Sequence, residues 1–256
     1  MIKNSFIFLD RINVRSEYNI WKQGISNWDD FIGTKKIEGI SSARKIFYDR
    51  QLVIAKQKLK EYDASFFANK FPKSEVWRLY ETFKHDAIFL DIETSGYYGD
   101  ITVLGIYDGY DTKIMIKGKN LDNRLFTKVL LNKKLLITFN GFSFDVPMIK
   151  RYFQKSIPSL FQLPHFDLRF ACARIGLNGG LKLIEQKLGI KRLDQVKSMR
   201  GGDAINLWHK YSSTGNSDYL EQLVKYNEED IINLKPLAEL VVKNLKRNYD
   251  NFFVKF

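Results

Sequence analysis

The sequence predicts an α/β protein with one mixed sheet, preceded by a smaller, basic helical region. Three observations carry this. From residue 85 onward, short apolar runs of strand character come first and helical patterns follow, the order of a sheet later covered by helices. Before residue 85 the apolar spacing is helical. The composition, 45% hydrophobic and 27% charged over 256 residues, is that of an ordinary globular chain, long enough for one large domain or one plus an appendage. There is no internal repeat and no linker rich in Pro, Gly or Ser.

Residues 1–84 form the N-terminal basic helical region. Residues 41–69 contain no glycine or proline, and Ile46, Phe47, Leu52, Ala55, Leu59 and Tyr62 recur at helical spacing, with Ser41 or Ser42 as the cap. Trp21 and Trp28 are seven apart, which reads as helical core packing rather than base stacking. Ala87–Ile92 is a buried strand. Ile101–Tyr107 and Thr112–Ile116 follow, with Asp108-Gly109 as the turn between them. A helix over Leu121–Leu131, capped by Asn120 or Asp122, leads to the strand Leu135–Phe139. Helices then cover 145–155, 167–175, 181–188, 203–211 and about 217–246.

Lys and Arg number 41 against 29 Asp and Glu, a net charge of +12. Residues 1–84 hold 16 of these bases and 10 of the acids, so they are about twice as basic per residue as the rest. A basic surface suits a polyanion, nucleic acid or an anionic membrane, and is also found on merely soluble proteins. No lipidation signal or basic amphipathic helix favours the membrane, and no apolar run approaches the roughly 18 residues of a spanning helix. Phe6–Leu9 is too short for the apolar core of a signal peptide. One cysteine, Cys172, excludes an intramolecular disulfide framework and a cysteine-rich zinc site. The expected compartment is the cytosol. His85, His165 and His209 fit no zinc spacing and read as structural or surface residues.

Three groups of carboxylates stand out. Asp91-Ile92-Glu93 ends an apolar strand, where alternation puts both acids on one face and Ile92 on the other. Two such acids repel unless a cation lies between them, and hard oxygen donors suit Mg²⁺ or Mn²⁺. Alone, the pattern is common, and two solvated acids at a strand end are the better reading. Asn140-Gly141-Phe142-Ser143-Phe144-Asp145 leaves a strand and opens a helix. Asp145 is either a helix-start acid favoured by the macrodipole or a third carboxylate at the sheet's C-terminal edge. In Tyr226-Asn227-Glu228-Glu229-Asp230, Tyr226 and Asp230 share a helix face and Asp230 lies in an apolar stripe, while Glu228 and Glu229 are expected to face solvent.

Phe89-Leu-Asp-Ile-Glu-Thr-Ser-Gly96, Asn140-Gly-Phe-Ser-Phe-Asp145 and Tyr226-Asn-Glu-Glu-Asp230 together resemble the three exonuclease motifs of the DEDD superfamily on an RNase H-like fold, in its DEDDy form. Phe166-Asp-Leu-Arg-Phe-Ala-Cys-Ala-Arg and Leu181-Lys-Leu-Ile-Glu-Gln-Lys-Leu-Gly-Ile resemble the same superfamily. The resemblance extends over most of the chain to the YprB-like group of predicted RNase H-like exonucleases, through Trp21–Phe31, Asp63–Phe67 and Trp77–Tyr80. It departs where that group carries a Gly-Ile-Gly hairpin. Here Arg11-Ile12-Asn13 stands, so the hairpin's close approach to phosphate is not carried over.

The resemblance implies a five-stranded mixed sheet over residues 85–256. It implies two divalent cations, Mg²⁺ or Mn²⁺, held by Asp91, Glu93, Asp145 and Asp230, and 3′→5′ hydrolysis of single-stranded DNA or RNA to nucleoside 5′-monophosphates. Asp91 would bridge the cations and Tyr226 would orient the attacking water. Thr94, Ser95 and Gly96 would meet the 3′-terminal nucleotide through backbone groups. Asn140 and Phe144 would meet its sugar and base, with core packing an equal reading for Phe144. Arg200-Gly201-Gly202, near Lys191, Arg192 and Lys197, reads as solvated loop charge or as a phosphate-holding helix start. A non-catalytic nucleic-acid-binding module and an endonuclease on the same fold are the competing readings. A scaffold role is the third, and it leaves the buried acids without a purpose.

Overall fold

The computed structural model describes residues 1–98, 100–154, 160, 162–194, 199 and 201–253. Its sheet is mixed and five-stranded: β1 (Ala87–Thr94), β2 (Ile101–Tyr107), β3 (Thr112–Ile116), β4 (Leu135–Thr138) and β5 (His165–Asp167), in the order β3-β2-β1-β4-β5. The β1–β2 and β2–β3 pairs are antiparallel, while β1–β4 and β4–β5 are parallel. Ahead of the sheet lie α1 (Val14–Lys22), α2 (Trp28–Gly33), α3 (Ser42–Lys60) and α4 (Tyr80–Phe83). Among and after the strands come α5 (Asn123–Leu130), α6 (Asp145–Tyr152), α7 (Leu168–Arg174), α8 (Leu181–Leu188), α9 (Gly201–Thr214) and α10 (Ser217–Phe253). The strands expected from apolar runs are all present, and the helix ends differ from the sequence reading by a few residues. Asp122 caps α5 through the Leu125 N–H, and Ser41 caps α3 through that of Arg44.

Alternation along central β1 sorts its side chains between two layers. Ile88, Leu90 and Ile92 pack with Phe126 of α5 and Met148 of α6. Ala87 and Phe89 belong to the opposite cluster, which holds Leu234 and Leu237 of α10. Asp91 and Glu93 therefore point toward α10. That helix lays Leu223, Tyr226, Asp230, Leu234, Leu237 and Val241 along one buried stripe at spacings of three and four. Pro236 sits inside α10, where it has no N–H for the carbonyl of Ile232.

The α10-side cluster runs on into residues 1–84 through Phe6, Trp28, Phe31, Phe67 and Phe83. A buried ion network joins the same parts. Glu17 accepts from Phe6 N, Ile7 N and Arg78 Nη1 at 2.6, 3.0 and 2.8 Å. Arg78 Nε donates to Glu75 at 2.7 Å, and Arg174 of α7 pairs with Glu75 from the other side. Trp21 and Trp28 are buried as expected, though on two helices, and donate to the carbonyls of Asn4 and Ser5.

One expected face is displaced. Leu52 and Ala55 of α3 are buried, but Ile46 and Phe47 are 57% and 48% exposed. The inner face is Lys45, Tyr48, Leu52 and Ala55: the Lys45 ammonium covers the Phe31 ring and pairs with Asp49, and Tyr48 Oη donates to the Asp10 carbonyl. A lysine stem packs as apolar surface when its charge is satisfied, which a hydropathy pattern does not register. The expected continuous helix over 41–69 also ends at Lys60. Tyr62 takes a left-handed backbone (φ 56°), and Asp63 caps a new 3₁₀ turn over Ala64–Phe67.

Candidate active site

Pairing between β1 and β4 stops at Phe89↔Ile137, so the last residues of β1 hydrogen-bond to β2 only. The chain leaving β4 closes this gap. It turns at Asn140 and starts α6 with Asp145, whose Oδ1 accepts from the Ile92 N–H at 3.2 Å. On the other face, Asp91, Glu93 and Asp230 of α10 each offer a carboxylate oxygen within 4.8 Å of the others. Among the described residues no other three His, Cys, Asp or Glu side chains converge so. Asp145 stands apart from that triad but is the neighbouring charge that weighs most on Asp91. The structure thus brings together the four acids and Tyr226.

Burial raises all four carboxyls, and other acids of the cluster add to the rise of Asp91, Glu93 and Asp145. Asp91 and Glu93 are pushed well above the carboxylate range, first by desolvation and then by the other acids. Burial lifts Asp145 to about 7, against its bond to Ile92, with Asp167 and Asp230 adding to the rise. Burial lifts Asp230 to about 6, with Arg192 opposing. The Tyr226 phenol is raised by burial and then by Asp230, Glu93 and Asp91. An all-carboxylate oxygen donor set that cannot share its negative charge without a cation fits a hard divalent metal such as Mg²⁺ or Mn²⁺.

A second set of residues holds these acids in place. Asn227 Nδ2 donates to Asp91 Oδ2 at 3.0 Å and toward its carbonyl at 3.3 Å. Asn227 reaches the strand because Gly105 of β2 lies opposite Asp91. A Cβ there would fall inside the contact distance of Asn227 Oδ1. Arg192, 5% exposed, donates to both oxygens of Glu185 at 2.5 and 2.8 Å and pairs with Asp230. The loop carrying Arg192 is fastened to α10: Leu193 N donates to Glu229 at 3.0 Å, and Asn233 Nδ2 to the Lys191 carbonyl at 3.3 Å. The Lys182 ammonium lies over the Tyr226 ring, 4.4 Å from its centre.

The residues expected to meet substrate lie around this cluster. Thr94 ends β1 at a register shift, and its Oγ1 accepts from Gly96 N at 3.4 Å. The Ser95 hydroxyl is engaged by Asp100, and its carbonyl meets His209 Nε2 at 3.1 Å. Asn140 has φ 69°. Its N–H donates to Asp167 at 2.8 Å, and its Oδ1 accepts from Arg169 at 2.6 Å. Asp167 also accepts from Phe142 N and Arg169 N, so it shapes the loop that delivers Asp145. Phe144, at the start of α6, is 43% exposed, so its ring is not core.

Several expectations are corrected. Glu228 and Glu229 do not simply face solvent: Glu228 accepts from Thr112 Oγ1 at 2.6 Å, and Glu229 anchors Leu193. Arg192 is a buried ion-pair partner rather than solvated loop charge. Lys197 and Arg200 lie outside the described residues. The histidines are as expected: His85 is on the surface, and His165 is a structural residue whose ring meets Thr138 Oγ1 at 2.8 Å. Asn227, Gly105, Lys182 and Glu185 escaped the sequence reading. A glycine inside a strand was a usable signal of close approach for Gly105. Asn227 sits three residues before Asp230, on its face. Lys182 and Glu185 lie in the Leu181–Ile190 segment that resembles the superfamily, but that resemblance gave neither of them a role.

Comparison with known proteins agrees with this geometry. A family model described as RNase_H superfamily matches residues 88–242, from β1 to well inside α10. The uncharacterized protein YprB of Bacillus subtilis (strain 168) is 27% identical over 170 residues, covering 59% of this chain and 40% of that relative. The chain therefore spans well under half of YprB's length. No solved structure matches the chain. A 3-2-1-4-5 mixed sheet, acids at the open end of its central strand, and a family match across both place this chain in the RNase H superfamily.

Proposed function

We propose that this protein is a metal-dependent 3′→5′ exonuclease that degrades single-stranded DNA or RNA to nucleoside 5′-monophosphates. Residues 85–256 carry the chemistry, and residues 1–84 buttress them. The observation that carries the reading is the convergence of Asp91, Glu93 and Asp230 within 4.8 Å, with Asp145 bonded to the same strand end. Two divalent cations held by these four acids would supply Lewis acidity toward water and the departing oxygen. The net charge of +12 favours a polyanionic substrate.

The chain's own residues do the rest. In the reaction a water oxygen bonds to phosphorus, the P–O3′ bond breaks, and the 3′ oxygen leaves with a proton. Tyr226, raised far above its usual range, stays protonated, so it orients the water as a hydrogen-bond partner rather than removing its proton. Asn227 fixes the rotamer of Asp91. The exposed Phe144 ring offers a stacking face for the terminal base, and Asn140 with Thr94, Ser95 and Gly96 frames the terminal nucleotide.

The test is incubation of 5′-labelled single-stranded DNA and RNA with the protein and Mg²⁺ or Mn²⁺, beside Asp91→Ala. A ladder that shortens one nucleotide at a time from the 3′ end, absent with Asp91→Ala, is the expected result. Internal cuts would move the assignment to an endonuclease. Binding without cleavage would make the chain a non-catalytic module.

A further inference from the structure

Two cations stand beside the carboxylates, and they are not in the same condition. Arg192 is engaged by Glu185 and Asp230. Lys182 Nζ is buried and, among the described residues, has neither a hydrogen-bond acceptor nor an ion-pair partner. An ammonium carries three donors, and leaving them empty in a buried place is costly. The contact Lys182 does make is the face of Tyr226, at 4.4 Å. That contact points the ammonium to the side of the cluster where Tyr226 and Asp230 lie one helical turn apart. Asp230, on that turn, is ion-paired with Arg192, so Lys182 acts on Asp230 and Glu93 only through space, without a direct partner.

The backbone around Lys182 has the same unmet demand. α8 begins at Leu181 behind Gly180, and no side chain caps its first-turn N–H groups. Lys182 thus adds a full charge to a helix start that already favours an anion. A compact ammonium with rotatable donors is suited to a phosphate oxygen.

We propose that Lys182 contacts a non-bridging oxygen of the phosphodiester being cut, held in place by the face of Tyr226, while Arg192 keeps Asp230 from neutralising it. The proposal rests on the nuclease reading above. In its absence from substrate Lys182 is a cation in waiting. With substrate bound, its three donors meet the negative charge that grows on the phosphoryl oxygens as the new bond forms.

The test separates a phosphate contact from a structural counter-charge. The full chain, in an Asp145→Asn background that stops turnover, is titrated in Mg²⁺ with two labelled single strands. One is unmodified, and the other has a neutral methylphosphonate as its 3′-terminal linkage. Lys182→Gln is expected to weaken the unmodified strand by about tenfold and leave the neutral strand unchanged. Lys182→Arg restores most of the difference, and thermal melting confirms that each variant is folded. Equal weakening of both strands, or of neither, would overturn the proposal. If the ladder experiment succeeds with Lys182 in place and this coupling is absent, only the Lys182 contact fails. Absence of both ladder and binding overturns the nuclease reading and this inference with it.

Discussion

Two regions of this molecule bury carboxylates, and they do so in opposite ways. In the N-terminal network, Glu17 and Glu75 are held by Arg78 at 2.8 and 2.7 Å, and Arg174 adds a second cation. Burial still raises Glu17, but Arg78 and two backbone N–H groups oppose the rise. Around Asp91 the balance is reversed. Four acids converge, Arg192 is shared with Glu185, and each of Asp91 and Glu93 is raised by its neighbours as well as by burial. Burial alone does not distinguish a working site from a structural one. Surplus like charge does, because a fold does not keep it without something to bind.

Breaking the balanced region should have the largest effect on stability. Arg78→Met leaves Glu17 and Glu75 buried with too little positive charge, a loss of about 3–5 kcal/mol by urea unfolding. Turnover per folded molecule should stay unchanged, and a proportionate loss of turnover would mean the network also shapes the site. The surplus region should respond with the opposite sign. Asp91→Asn removes repulsion, so the metal-free protein should melt higher than wild type. Its nuclease rate should fall by more than the roughly 10–100-fold typical of residues that only support a metal ligand. A lower melting temperature would show that Asp91 is not under repulsion.

The hold on Asp91 can be tested by a pair of substitutions. Asn227→Ala should cost about 10–100-fold in metal affinity, the usual range for such a supporting partner. Gly105→Ala should cost a similar amount, since its new methyl meets Asn227 Oδ1. The double variant has no amide left to collide with, so it should be no worse than Asn227→Ala alone. Losses that multiply would show that the two positions act independently.

Much of the sheet region was legible from local pattern. Strand alternation placed Asp91 and Glu93 together, four-residue spacing placed Tyr226 over Asp230, and the apolar runs marked four of the five strands; the three-residue β5 was too short to show a pattern, and Asp167 was read as helical. Those signals are periodic, so they survive in one dimension. The roles of Asn227, Lys182 and Arg192 were not legible because their meaning arises between elements, and Gly105 signalled a close approach without naming what approaches. Asn227 matters only once α10 crosses β2 at a glycine, and Arg192 only once its loop is fastened to Glu229 and Asn233. The face of α3 was misread for a related reason: Lys45 is counted as polar until Asp49 and the Phe31 ring satisfy it.

The smallest effect is also the one that reads the raised carboxyls directly. Asp145 is lifted to about 7 and Asp230 to about 6, from an ordinary 3.8. Because the folded values exceed the unfolded one, the stability tied to these protons is full below the ordinary carboxylate pKa. It drains away as pH rises through the folded values. His165 runs the other way. Burial lowers it from 6.5 to about 3, so its contribution is present above 6.5 and is lost as pH falls toward 3. The two windows overlap, and a wild-type melting curve alone would blur them. Asp145→Asn leaves His165 untouched, so the difference between wild type and variant isolates the carboxylate. In EDTA, the melting temperature of wild type relative to Asp145→Asn should fall by a few degrees between about pH 5 and about pH 8. Mg²⁺ should recover that loss at the upper end, where the carboxylates are free of protons. A difference that stays flat across the range would mean that the neighbours of Asp145 do not hold its proton, and that its closeness to Ile92 is only a helix-start contact.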